Sequence, residues 1–241
     1  MRYKATVMYD GTMFHGFQVQ EDLRTVQKEV EDVLKIITKT DTKIHPAGRT
    51  DTGVHAVGQV FHFDTTVDMK EWQMKNAINS RLPRDIYVKK IEIVDESFHS
   101  RFNAKKKSYQ YVINTNEFNP LNKNYCYYYK YKLDINKMIE ASKIFIGEHD
   151  FKSFTKNHII ENTVRTIYDI NFEINDGVIK INFIGNGFLH NMVRIIVAML
   201  IEVGNDRVTI EQLQNIMDMK NRKLAPKLAP ANALYLMSVE Y

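Results

Sequence analysis

Arg49 and Asp51 stand two residues apart in HPAGRTDTGVH, residues 45–55, with His45 and His55 at its ends. A carboxylate near a guanidinium can serve as a nucleophile or as one half of an oriented, charge-assisted pair. An aspartate with an ordinary pKa of about 3.9 is already ionised at neutral pH, so an arginine would orient it rather than deprotonate it. The same letters also spell an ordinary turn. Gly48 and Gly53 supply unusual backbone angles, and Thr50, Asp51 and Thr52 can cap local N–H groups. A metal set of His45, Asp51 and His55 fits neither H-E-x-x-H nor paired cysteines. A phosphoaspartate site would want a second aspartate and Mg²⁺, and D-T-G offers one carboxylate.

Other stretches carry groups suited to nucleic acid. YDGTMFHGFQVQ, residues 9–20, gathers Phe14, His15, Phe17, Gln18 and Gln20, stacking and hydrogen-bonding groups that suit unpaired bases, although a turn with two exposed aromatics explains any part of it. Arg101, Lys105, Lys106 and Lys107 form a basic run ahead of Tyr109, which as a strand tyrosine could equally pack in the core. Lys220, Arg222, Lys223 and Lys227 form a second run. Either run can be a solvated face. In GNGFLHNMVRIIVAMLIEVG, residues 185–204, Arg194 lies between Val193 and Ile195 and needs an anionic partner or an exit to solvent. His190, four residues earlier, is expected to be a satisfied core histidine on the same face.

These groups need elements to hold them. RYKATVMY, residues 2–9, alternates as a strand does, and a helix begins at Thr25 with Val26, Val30, Val33 or Leu34, and Ile37 on one face. VGQVFHFD, 57–64, predicts a strand with Val57, Gln59, Phe61 and Phe63 on one side and Val60, His62 and Asp64 on the other. A helix over 70–80 and the strand IYVKKIEIV follow. Residues 97–115 read as two strands or one long bent strand. The tyrosine-rich 119–133 reads as a connection with one short strand, a candidate passage from one half to the other. Then come a helix at 134–146, strands near 163–174 and 178–185, helices at 189–203 and 209–218, and a last strand at 234–240. The order suggests α+β: a mostly antiparallel sheet with helices packed on one face, built as two similar halves.

With 241 residues, 44% of them hydrophobic, the chain can bury a sizeable core. Its single cysteine, Cys126, excludes an internal disulfide and a thiolate metal cluster, which fits a cytoplasmic setting. The start MRYKATVMYDGT lacks the apolar core of a signal peptide, and Asn191, Arg194 and Glu202 interrupt the most apolar stretch, so no membrane span is expected. A net charge of +4 permits a nucleic-acid partner without demanding one.

In order along the chain, YDGTMFHGFQVQ, TVQKEVEDVL, GRTDTGVHAVGQVFHF, LPRDIYV, FHSRFNAKKKSYQY, GNGFLHNMVR and LYLMSVEY resemble the blocks of the tRNA pseudouridine synthase A family, from about residue 3 to 241. The resemblance implies isomerisation of uridine to pseudouridine in the anticodon stem-loop of tRNA, at positions 38 to 40, by a homodimer with basic clefts and neither metal nor organic cofactor. It implies that Asp51 is the nucleophile, with Arg49 opening its motif and Arg194 pairing with the aspartate. Tyr109 would pack on the target base and Leu234 would line its pocket. Phe14, Gln18, Arg101, Lys105 and Lys107 are expected to contact RNA. Residues 1–104 would form the half with the aspartate loop and 105–241 the half that completes an active-site cleft between them. Thr52, His190 and Ala233 depart from the usual residues of these blocks without removing a reacting group.

The implied reaction suits a single carboxylate. Uracil leaves C1′ as a delocalised anion, turns, and rejoins through C5, with no net redox or hydrolysis. The carboxylate can attack C1′, steady an oxocarbenium-like centre, take a C2′ proton on a glycal route, or attack C6 of the base. Because C1′ and C5 are inaccessible in a stacked stem, the nucleotide would have to flip out.

Overall fold

A computed structural model describes residues 1–157 and 159–241. In chain order it runs β1 (Arg2–Tyr9), α1 (Val26–Thr38), β2 (His45–Pro46), β3 (His55–Asp64), α2 (Glu71–Asn79), β4 (Ile86–Val94) and β5 (Lys106–Asn114). It continues with β6 (Tyr127–Tyr128), α3 (Ile135–Ser142), β7 (Gly147–Asp150), β8 (Val164–Asn175), β9 (Val178–Gly185), α4 (Met192–Gly204), α5 (Ile210–Asp218) and β10 (Leu234–Glu240). The fold is α+β, with mostly antiparallel strand pairing. Contacts divide the chain into two units, Met1–Lys105 together with Tyr235–Tyr241, and Lys106–Leu234.

In the first unit β1 pairs antiparallel with both β3 and β4. Its period-two pattern buries Tyr3, Ala5, Val7 and Tyr9, and Tyr3 stacks on Phe63 with ring centroids 5.3 Å apart. Each large side chain fully buried in this way contributes about 2–3 kcal/mol before entropy is charged against it. Thr25 caps α1 by accepting the Lys28 N–H, and Val26, Val30, Val33 and Leu34 form its buried face. The helix α2 packs against β4 and α1. The start of β10 runs parallel to β3, with Tyr235 opposite His55 and Leu236 opposite Ala56.

Strand β3 is buried on both faces, since Val60 and His62 are covered as well as Phe61 and Phe63. The cover over His62 comes from residues 97–105, which form no strand. There His99 Nδ1 accepts the Arg101 N–H at 3.1 Å and Asn103 Oδ1 accepts the His99 N–H at 2.5 Å, so side chains take the backbone groups that a ladder would use. Extended structure begins only at Lys106.

The second unit orders its strands β5-β9-β8-β7, all antiparallel, with β6 parallel to the end of β5. One face buries Tyr111, Ile113, Ile179, Ile181 and Phe183. The other is polar: Gln110 Nε2 donates to Asn182 Oδ1 at 2.8 Å, and Asn182 Nδ2 donates to Asn171 and Glu173 at 2.9 and 2.8 Å. Helices therefore cover one face only. The stretch 119–133 lies wholly inside this unit. Helix α4 starts at Met192 rather than 189, because Asn191 adopts a left-handed φ of 63° and turns the chain into it. His190 precedes the helix and is exposed, so it is neither a core residue nor on a helical face shared with Arg194. Among the described residues no helix is long and apolar enough to cross a membrane.

Candidate active site

The Arg49–Asp51 turn is held from several directions by the segment after β1. Phe17 N–H donates to the Thr50 carbonyl at 3.1 Å, and Gly53 N–H to the Phe14 carbonyl at 3.3 Å. The Tyr9 hydroxyl meets Thr50 Oγ1 at 2.7 Å in a buried contact. Burial pushes the Tyr9 phenol well above its ordinary pKa, so it stays protonated for that bond. On the other flank Gln59 Nε2 donates to the Gly48 carbonyl at 2.8 Å, and Ala47 N–H to the Val60 carbonyl at 2.7 Å. Within the turn the Asp51 carbonyl accepts the Val54 N–H at 3.1 Å, and Gly53 takes a φ of 78°. Asp51 is thus half-buried on a braced turn, while Arg49 and Thr52 are exposed.

Two glycines make that bracing possible. A Cβ on Gly11 would lie 2.1 Å from the Val54 carbonyl oxygen. One on Gly16, whose φ is 86°, would lie 2.8 Å from the Thr50 carbonyl oxygen. Only glycine lets these backbones approach so closely.

His55 acts as a bracket. Its Nδ1 accepts the Gly11 N–H at 3.0 Å, Asp10 Oδ1 lies 3.2 Å away, and its ring stacks on Tyr235 with centroids 4.8 Å apart. His45 stacks instead on His62, 4.9 Å between centroids. Among the described residues no three His, Cys, Asp or Glu side chains gather as a metal ligand set. The supporting roles of Tyr9, Asp10, Gly11 and His55 left no local sequence signal, because each partner lies about 40 residues away in the chain.

Phe14 is 2% exposed, its ring covered by the Arg24 guanidinium at 4.2 Å and edged by Tyr9. Arg24 is itself pinned by Asp85 at 2.7 and 3.0 Å and by Glu29 at 2.7 Å. Phe14 therefore braces the loop from within, whereas Gln18 is exposed. Arg101 and Lys105 are also exposed, and Lys107 is half-buried.

In the second unit Tyr109 is half-buried on β5, with Phe188 edge-to-face against it at 5.2 Å. Arg194, on the first turn of α4, donates from Nε to the Ala229 carbonyl at 2.8 Å and from Nη1 to Asn191 Oδ1 at 3.1 Å. These bonds fix the guanidinium and explain how a cation is tolerated among apolar neighbours. Leu234 is buried at the start of β10.

The family model described as tRNA pseudouridine synthase matches residues 5–103 and 141–241. The chain belongs to that family, isomerases that form pseudouridine in tRNA. Over the whole chain it is 47% identical to the tRNA pseudouridine synthase A of Pseudothermotoga lettingae, across 99% of that protein. It is 44% identical to the tRNA pseudouridine synthase A of a Geobacillus species and 44% identical to tRNA pseudouridine synthase A 1 of Bacillus cereus, each over all of this chain and 98% of the relative.

Proposed function

We propose that this enzyme converts uridine to pseudouridine at positions 38 to 40 of the tRNA anticodon stem-loop, with Asp51 as nucleophile and the target nucleotide flipped out of the stem. The observation that carries the reading is the turn itself: a single carboxylate on a backbone fixed by Phe17, Gly53, Tyr9 and Gln59. Such fixing is what a carboxylate needs to meet one atom of a sugar or base repeatedly, because small misplacements of a reacting group cost large factors in rate.

Asp51 starts the reaction at C1′, at C2′–H or at C6, and uracil departs as an anion that must rejoin through C5 before it escapes. Tyr109, backed by Phe188, packs on the base, and Leu234 lines its pocket. Arg194, held by Ala229 and Asn191, pairs with the carboxylate. Arg49 and Gln18 meet the RNA around the flipped nucleotide, and Arg101, Lys105 and Lys107 meet its phosphates. The family resemblance also supports a cytoplasmic homodimer that uses neither metal nor organic cofactor.

Replacing Asp51 by Ala tests the assignment. Turnover should fall by about 10⁴-fold or more, as when a nucleophile is removed, while tRNA affinity stays within a few-fold of wild type. Retained turnover would remove Asp51 from the chemistry.

A further inference from the structure

The basic run Lys220, Arg222, Lys223 takes no part in the reaction proposed above, yet it lines a cavity. Together with Lys152, Thr155 and Thr163 it surrounds about 230 Å³ of space, within the second unit. Among the described residues only Lys220 has a carboxylate there, Asp150 at 3.0 Å. Asp150 is otherwise occupied by the Lys152 N–H at 3.2 Å and by the Thr163 hydroxyl. Among the described residues Lys152, Arg222 and Lys223 have no carboxylate within salt-bridge reach.

Arg222 is the telling group. Its Nη atoms donate to the carbonyls of Ala225 and Pro226, and its Nε is buried without a hydrogen-bond partner among the described residues. Burial alone pulls its pKa down, with no anion to oppose the effect. Among the described residues a partly buried guanidinium and two lysines that line one concavity lack a counter-charge. The cavity wall is also tied to the turn that begins α4, since Thr155 Oγ1 and Lys156 N both donate to the His190 carbonyl, at 3.2 and 3.3 Å. That turn holds Asn191, the partner of Arg194.

We propose that this pocket seats a backbone phosphate of the bound tRNA, beside the turn that leads into α4. The proposal rests on tRNA being the substrate, a polyanion that brings phosphodiesters to the surface it covers. Lysine and arginine neutralise such a phosphate and release counterions from the RNA.

The test uses the full chain carrying Lys152→Ala and Lys223→Ala together, both exposed residues, with Arg222 left in place to hold its loop. Lys123→Ala with Lys180→Ala serves as a charge-matched control. Binding of intact tRNA is measured between 50 and 200 mM salt, and pseudouridine formation at saturating tRNA is measured alongside. The pocket variant should bind about five- to tenfold more weakly, with a log–log salt slope shallower by about one, and with saturated turnover unchanged. Affinity and slope equal to those of the control variant would overturn the proposal. Inorganic phosphate that stabilises wild type against heat but not the pocket variant, with tRNA affinity unaltered, would assign the pocket to a free anion and overturn it as well. Failure of wild type to form pseudouridine in the same assay would instead sink the reading on which the proposal rests.

Discussion

Asp51 is positioned by residues remote from it in sequence, and the closest constraints are backbone ones. Gly11 faces the Val54 carbonyl with no room for a methyl group, and both neighbours are main chain. Gly11→Ala should therefore destabilise the protein by about 1–3 kcal/mol and lower pseudouridine formation at least tenfold, because the Asp51 turn must shift to make room. Urea unfolding read beside turnover checks it. Tyr9→Phe, which removes the bond to Thr50 but keeps the ring, should cost about 1 kcal/mol and leave activity within a few-fold. A stable, fully active Gly11→Ala enzyme would show that the turn does not depend on this bracing. At this scale the sequence was only partly legible. The turn-forming role of Gly53 could be read from D-T-G, but the pairing of Gly11 with Val54, of Tyr9 with Thr50 and of His55 with Gly11 could not, since each joins points far apart in the chain.

At the scale of elements, periodicity made most of the fold readable. Strand β1 alternates, α1 carries a cap and one apolar face, and β8, β9 and α5 fall close to their expected bounds. The failures have a common cause in side chains that compete for backbone groups. Around 97–105 His99 and Asn103 turn the chain where alternation suggested a strand, and Asn191 delays the start of α4. The first of these turns covers His62, whose Nδ1 sits 2.9 Å from Ser100 Oγ between the rings of His45 and His99. Burial, with the charges of His99 and His45 behind it, pushes the His62 pKa down to about 4. The unfolded chain takes up this proton near pH 6.5, so the folded protein is stabilised in full above that pH. The contribution, about 3 kcal/mol at most, is lost as pH falls from about 6.5 to about 4. Denaturation midpoints followed from pH 7 to pH 4 should drop over that window, and His62→Gln should flatten the drop. An unchanged pH profile in that variant would contradict the burial of a neutral His62.

At the scale of the molecule, the residues assigned to the proposed reaction are spread along the chain: Asp51 and Arg49 belong to the first unit, and Tyr109, Arg194 and Leu234 to the second. Composition gave no sign that Tyr235–Tyr241 joins the first unit, because a strand's own pattern does not name the strand it pairs with. The reaction class was legible because its residues stand in short blocks whose order survives along the chain, and membership of the family rests on 200 matched residues, 5–103 and 141–241. The central claim is that Asp51 forms pseudouridine within the anticodon stem-loop. Its most direct test is nucleotide-resolution mapping of pseudouridine in an unmodified tRNA transcript with uridines at 38, 39 and 40, after incubation with wild type or Asp51→Ala enzyme. The account predicts pseudouridine confined to those positions with wild type and none with the variant; modification elsewhere in the tRNA, or equal modification by Asp51→Ala, would contradict it.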